Sequence, residues 1–228
     1  MGEMIEFPSN GSTAGGYLAT PESGSGPGVV VIQEWWGLVD HIKDVCERFA
    51  ASGYVALAPD LYHGQQVKPG EPDEAGKAMM AMKMDQAARD MSGAVDEVLR
   101  RSSSDRVGVI GFCMGGGLAL VLATHRPDAV AAVVPCYGII PWPDAQPDYS
   151  AMSAAVLGHY AENDDFFTPE AANALADELR SLGKSVEIVI YPDADHAFFN
   201  DSREEVYDPD ASRALWDRTL AFFDEHVR

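Results

Sequence analysis

The chain has 228 residues, of which 16 are Lys or Arg and 36 are Asp or Glu, for a formal net charge of −20 at pH 7. So acidic a chain lacks the basic footprint that nucleic acid or an anionic membrane surface demands, and neither is expected as a partner. Its three cysteines include no C-x-x-C pair, which argues against a disulfide framework or a zinc knuckle; no metal and no other cofactor is expected.

Met1–Glu6 shows neither the basic region nor the apolar core of a secretory signal. No stretch reaches the roughly 18 apolar residues of a membrane span, so a cytoplasmic protein is expected. The length suits one domain over 1–228, as a monomer or a small homo-oligomer. A short strand around Met4–Phe7 and another at Gly15–Ala19 open the chain, and the apolar run Gly28–Gln33 reads as a strand buried on both faces. Ile42, Val45, Cys46, Phe49 and Ala50 then recur at helical spacing and predict a helix over Asp40–Ser52, stopped by Gly53. Tyr54–Pro59 is the next buried strand. From Asp60 to Gly76, His63-Gly64, Pro69-Gly70 and Pro72 mark a long surface excursion, of the kind that is often functional. Helical sequence resumes over Glu74–Arg101, with a break expected near Ser92-Gly93. Its methionines Met79, Met80, Met82 and Met84 suggest a core or interface face, with an adaptable pocket as the alternative.

A strand at Val107–Ile110 leads into Gly111-Phe112-Cys113-Met114-Gly115-Gly116, followed by an apolar helix from Gly117. Then come a strand at Ala129–Cys136, a loop with Pro135, Pro141, Pro143 and Pro147, and a strand at Ala154–Tyr160. A helix over Pro169–Leu182, a strand at Val186–Tyr191 and a helix over Asp210–His226 close the chain. Strands alternating with helices throughout predict the α/β class, a mostly parallel sheet with helices on both faces.

In such a sheet, functional groups gather past the carboxyl ends of the strands. Four polar residues stand there: Glu34, Cys113, Asp164 and His196. G-x-C-x-G between a strand and a helix is a nucleophile elbow with cysteine where serine is usual, and glycines at 111 and 115 remove the collisions of so tight a turn. A thiol needs a base to become a strong nucleophile, an imidazole suits the task, and a carboxylate fixes the imidazole's tautomer. The chain order Cys113, Asp164, His196 is the hydrolase order. The backbone amides of Trp35 and Met114 are candidates for an oxyanion hole. Cys46 and Cys136, in a helix and an apolar strand, read as core residues.

Gln33-Glu34-Trp35-Trp36-Gly37, Ala58-Pro59-Asp60-Leu61-Tyr62, the elbow, Gly158-His159 through Thr168, and His196-Ala197-Phe198 together resemble the dienelactone hydrolase (carboxymethylenebutenolidase) family, a branch of the α/β-hydrolase fold. The resemblance implies a hydrolase of lactones or small carboxylic esters, with Cys113 as nucleophile, Glu34 as its ion-pair partner, and His196 and Asp164 completing the triad. Asp165 is a rival for the last place through a one-residue slip. Trp36, Phe199 and Asn200 are expected at the substrate. The family's prototype binds a substrate carboxylate through arginines, one of them four residues after the histidine; this chain has Asn200 there, so neutral substrates are expected to serve at least as well as anionic ones. Two other readings compete: a cysteine-dependent glyoxalase or stress protein, and a non-catalytic binding domain.

Overall fold

The computed structural model describes residues 2–140 and 146–227; Pro141 and Pro143 of the proline-rich loop lie outside them. Eight strands form one sheet in the order β1-β2-β4-β3-β5-β6-β7-β8. They are β1 (Glu3–Ser9), β2 (Ser12–Ala19), β3 (Gly28–Ile32), β4 (Val55–Pro59), β5 (Val107–Phe112), β6 (Val130–Cys136), β7 (Ala155–Asn163) and β8 (Val186–Asp195). β1 and β2 are antiparallel to each other, and β2 is antiparallel to β4. From β4 to β8 every pairing is parallel. The helices are α1 (Asp40–Ala51), α2 (Pro72–Ala81), α3 (Met84–Arg101), α4 (Met114–His125), α5 (Pro169–Ser181) and α6 (Pro209–His226).

The two faces of the sheet explain its composition. β3, β4, β5 and β6 are buried at every position, so their side chains are apolar without alternation. Val29 and Val31 point toward Ile42, Val45 and Phe49 of α1 and Leu215 and Phe223 of α6. Val30 and Ile32 point the other way, toward Met91, Val95 and Val98 of α3, Leu118 and Leu122 of α4 and Leu179 of α5. Such two-sided burial is the main source of stability, at about 25 cal/mol per Å² of apolar surface removed from water. The outcome is the expected α/β architecture, with the antiparallel pair added at one edge.

Three details differ from the sequence-based expectation. The helical region breaks at Met82-Lys83, both in extended backbone, and α3 runs unbroken through Ser92-Gly93. Gly93 marks close packing there, since a Cβ on it would stand 2.4 Å from the Pro8 carbonyl oxygen of β1. Met80 and Met84 are exposed, 76% and 47%, outside the core, while Met82 packs against it and lines a cavity. β7 and β8 extend three and four residues beyond Tyr160 and Tyr191, which brings their ends up against Asp164 and His196.

Candidate active site

Cys113 follows β5 directly and caps α4, with φ 54° and ψ −120°, a left-handed backbone that a side-chain-bearing residue adopts only under constraint. The constraint is backbone crowding. A Cβ on Gly111 would lie 1.9 Å from the Gly115 oxygen, and one on Gly115 would lie 2.5 Å from the carbonyl oxygens of Ile32 and Gln33. The elbow is thus pressed against the end of β3. Its third support was not foreseen: Gly138, past β6, would place a Cβ 1.8 Å from the Cys113 oxygen. Cys113 N donates to Cys136 O at 3.0 Å and ties the turn to β6. Met114 is the first residue of α4, so its amide belongs to the set with no partner inside the helix, and Trp35 follows Glu34 at the β3 end.

His196, one residue past β8, places Nδ1 2.7 Å from Asp164 Oδ2. The other oxygen, Asp164 Oδ1, accepts from the amides of Phe166 and Phe167 at 2.8 and 2.9 Å. Asp164 is 3% exposed, whereas Asp165 faces solvent, so the buried partner of the imidazole is Asp164. Burial works to raise the Asp164 carboxyl, but the His196 contact and the two amides outweigh it and hold it below the usual range. For His196, burial opposes the charged ring; the hydrogen bond to Asp164 and the sulfur of Cys113 beside it overcome that and lift it from 6.5 to about 10. Cysteine, imidazole and carboxylate therefore form one connected chain. The other two thiols are fully buried, and burial pushes both well up.

Glu34 is 1% exposed, and its Oε2 accepts from Asn200 Nδ2 at 2.8 Å. Asn200, itself 1% exposed, is committed to that carboxylate and does not present its amide to a substrate. Phe199, expected at the substrate, is 1% exposed and stacks between Phe112 and Trp216, at centroid distances of 5.3 and 6.2 Å. Trp36, 4% exposed, packs edge-on to Trp35 and belongs to the core. Both corrections have one cause: the segment after β8 and the turn after β3 fold inward, and their large rings fill the gap between sheet and helices.

The imidazole has instead three aromatic neighbours that the sequence reading missed. Tyr137, Phe166 and Phe167 lie 5.3, 5.5 and 5.8 Å from its centroid. Tyr137 stands past the end of β6, so the strand-end argument that found the other four residues applied to it equally. Its hydroxyl is buried with no hydrogen-bond partner among the described residues, and burial together with the charges of Glu34, Cys136 and Cys113 pushes it well up. Tyr62 donates to Met114 Sδ at 3.7 Å and is also within reach of the Cys113 charge. It leads into a cavity of about 190 Å³ lined by Leu61, His63, Met82, Lys83 and Gln86 among others. Asp60 secures this loop by accepting from the amides of Tyr62 and Gly64 at 3.1 and 2.6 Å. Of the cations near the site, Arg89 pairs with Asp85 and Arg203 with Glu205, while Lys83 lines the cavity.

Comparison with known proteins adds a second line. The sequence model described as "Dienelactone hydrolase family" matches residues 14–227. The chain is 40% identical to "Protein usf" of Aquifex pyrophilus and 36% identical to the "Putative carboxymethylenebutenolidase" of Aquifex aeolicus, in each case over 100% of both chains. Among solved structures, the "Putative Dienelactone Hydrolase" from Klebsiella pneumoniae superposes with a TM-score of 0.88 at 30% identity, covering 99% of each chain. The architecture shared with it is the α/β-hydrolase fold.

Proposed function

The chain belongs to the dienelactone hydrolase family and is a hydrolase, and from that premise we propose that it cleaves lactones or small carboxylic esters through a Cys113–His196–Asp164 triad. The observation that carries this is the grouping at the elbow: a strained Cys113 backbone, the His196 ring whose charge the Cys113 sulfur favours, and buried Asp164 2.7 Å from that ring.

In this mechanism the Cys113 proton resides on His196, whose ring the Asp164 contact keeps charged, and the sulfur attacks the substrate carbonyl carbon. The amides of Trp35 and Met114 hold the oxyanion, helped by the positive end of α4. Collapse breaks the C–O bond, and the leaving alkoxide takes the proton from His196; in a lactone it stays tethered to the acyl group. A water, deprotonated by His196 with Asp164 behind it, then cleaves the thioester and returns the thiol. The cavity beside Tyr62 suits a small acyl or alkoxy group. With Asn200 buried, no arginine stands four residues after the histidine to bind a carboxylate, so neutral substrates serve at least as well as anionic ones.

The test is acylation by an activated neutral ester, followed by intact mass. The wild type should turn over, His196→Ala should accumulate one acyl group on Cys113, and folded Cys113→Ala should lose turnover by about 10³-fold or more. Near-normal turnover by folded Cys113→Ala rejects the mechanism. A strong wild-type preference for a carboxylate-bearing lactone over its neutral match rejects the substrate reading and leaves the triad standing.

A further inference from the structure

A carboxylate removed from water needs donors, and Glu34 has a single hydrogen-bonded one among the described residues, the 2.8 Å contact to Asn200. Its Oε1 is buried without a hydrogen-bond partner. The amide that serves Oε2 cannot turn over. Asn200 Oδ1 accepts from Ser202 N at 3.1 Å and from Ser202 Oγ at 2.6 Å, so Nδ2 is left to face Glu34. The next residue anchors the segment. Asp201 pairs with Arg48 of α1 and lies 3.2 Å from His41 Nδ1, and the Arg48 guanidinium sits 5.8 Å over the Phe199 ring. Asn200 thus links the loop carrying His196 to the strand end carrying the Trp35 amide, through a carboxylate that no other described residue holds by a hydrogen bond.

We propose that Asn200 is a positioning residue for Glu34, holding that carboxylate in one orientation beside the elbow so that it governs the reactivity of the Cys113 sulfur. The inference rests on the reading of Cys113 as the nucleophile. A hydrogen bond donated to a carboxylate favours its ionised form, and a nearby negative charge opposes formation of a thiolate. Glu34 acts on Cys136 at the β6 end and on Tyr137 just past it; Cys113 and Arg203 also act on Tyr137, and the pairing of Ile32 with Gly111 sets Glu34 and Cys113 side by side at the ends of β3 and β5. Asn200, which carries no charge, touches Glu34 through a fixed donor.

The experiment follows alkylation of Cys113 by iodoacetamide against pH, with the modified residue identified by mass after digestion. Asn200→Leu matches asparagine in shape and cannot donate. It should move the midpoint of the profile down by about one pH unit, a tenfold gain in thiolate fraction at fixed pH. In a Glu34→Gln background the same substitution should move the midpoint by nothing measurable, because its effect runs through the charge. Equal shifts in both backgrounds, or none in either, overturn the proposal. If Asn200→Leu does not fold, Ser202→Ala takes its place: it keeps the donor but frees the amide to turn, and should give part of the shift, again only where Glu34 is present. No shift from a folded Ser202→Ala then overturns the proposal. Alkylation needs no ester turnover, so failure of the hydrolase reading, seen as turnover surviving in Cys113→Ala, is read separately from failure of this one.

Discussion

At Cys113 a φ of 54° is imposed on a residue with a Cβ, which costs about 1–3 kcal/mol that glycine does not incur. Cys113→Gly should therefore be more stable than Cys113→Ala by about 1 kcal/mol, the reverse of the usual order, as measured by urea unfolding. A glycine variant less stable than the alanine variant would show that the turn is not strained. The second prediction separates adjacent carboxylates. Asp164→Asn breaks the contact that orients His196 and should lower kcat by about 10³- to 10⁴-fold, whereas solvent-facing Asp165→Asn should stay within about twofold. The opposite pattern would assign the wrong aspartate. Glu34 and Cys113 were legible in the chain because they stand one and three residues past the expected strand ends, whereas Asp164 and His196 stood four and five residues past theirs and stood out through their order after the elbow. The unpartnered hydroxyl of Tyr137 and the role of Asn200 were not, although the position of Tyr137 past β6 was. An unpartnered hydroxyl and a bond spanning 166 positions exist only once β6 and the segment after β8 are folded against β3.

At the scale of elements, the same glycine residue type does opposite work in two places. Gly76 lies within α2, and a methyl group placed on it would meet nothing within 4 Å, so Gly76→Ala should raise stability by about 1 kcal/mol through helix propensity alone. Gly138→Ala drives a methyl into the Cys113 carbonyl and should cost about 1–3 kcal/mol or more while also abolishing turnover, although residue 138 carries no reactive group. Thermal unfolding with a parallel rate measurement checks both, and a fully active Gly138→Ala would remove β6 from the support of the elbow. The order of strands and helices was readable because β3 to β6 are apolar on both faces and α1 has a clean helical period. The α2–α3 break was misread. Gly93 looks like punctuation in the sequence, but the contact that requires glycine there is with β1, more than 80 positions earlier. Meanwhile Met82-Lys83, which carries no Gly or Pro signal, makes the turn.

For the whole molecule, two histidines set the response to pH from opposite sides. His159 is fully buried between Tyr191 and Thr219, and burial, with some help from Arg218, lowers it from 6.5 to about 3. Between those values the unfolded chain binds a proton that the folded one refuses, so stability falls as pH falls, by about 1.4 kcal/mol per pH unit from this group. His196 is raised from 6.5 to about 10, so its contribution is complete below 6.5 and is lost as pH rises toward 10. Asp164, held low, adds its own loss at the acid end. The urea midpoint should peak near pH 6.5; His159→Gln should flatten the acid limb and Asp164→Asn the alkaline one. A midpoint constant from pH 5 to 9 would contradict both shifts.

The open sheet adds a consequence of another kind. Its two edges, β1 and β8, present unpaired backbone groups along which a second chain could add a strand and begin to aggregate. Each edge is fringed with exposed carboxylates and one proline: Glu3, Glu6 and Pro8 on β1; Glu187, Pro192, Asp193 and Asp195 on β8. On a chain of net charge −20, an incoming copy meets like charge at both borders.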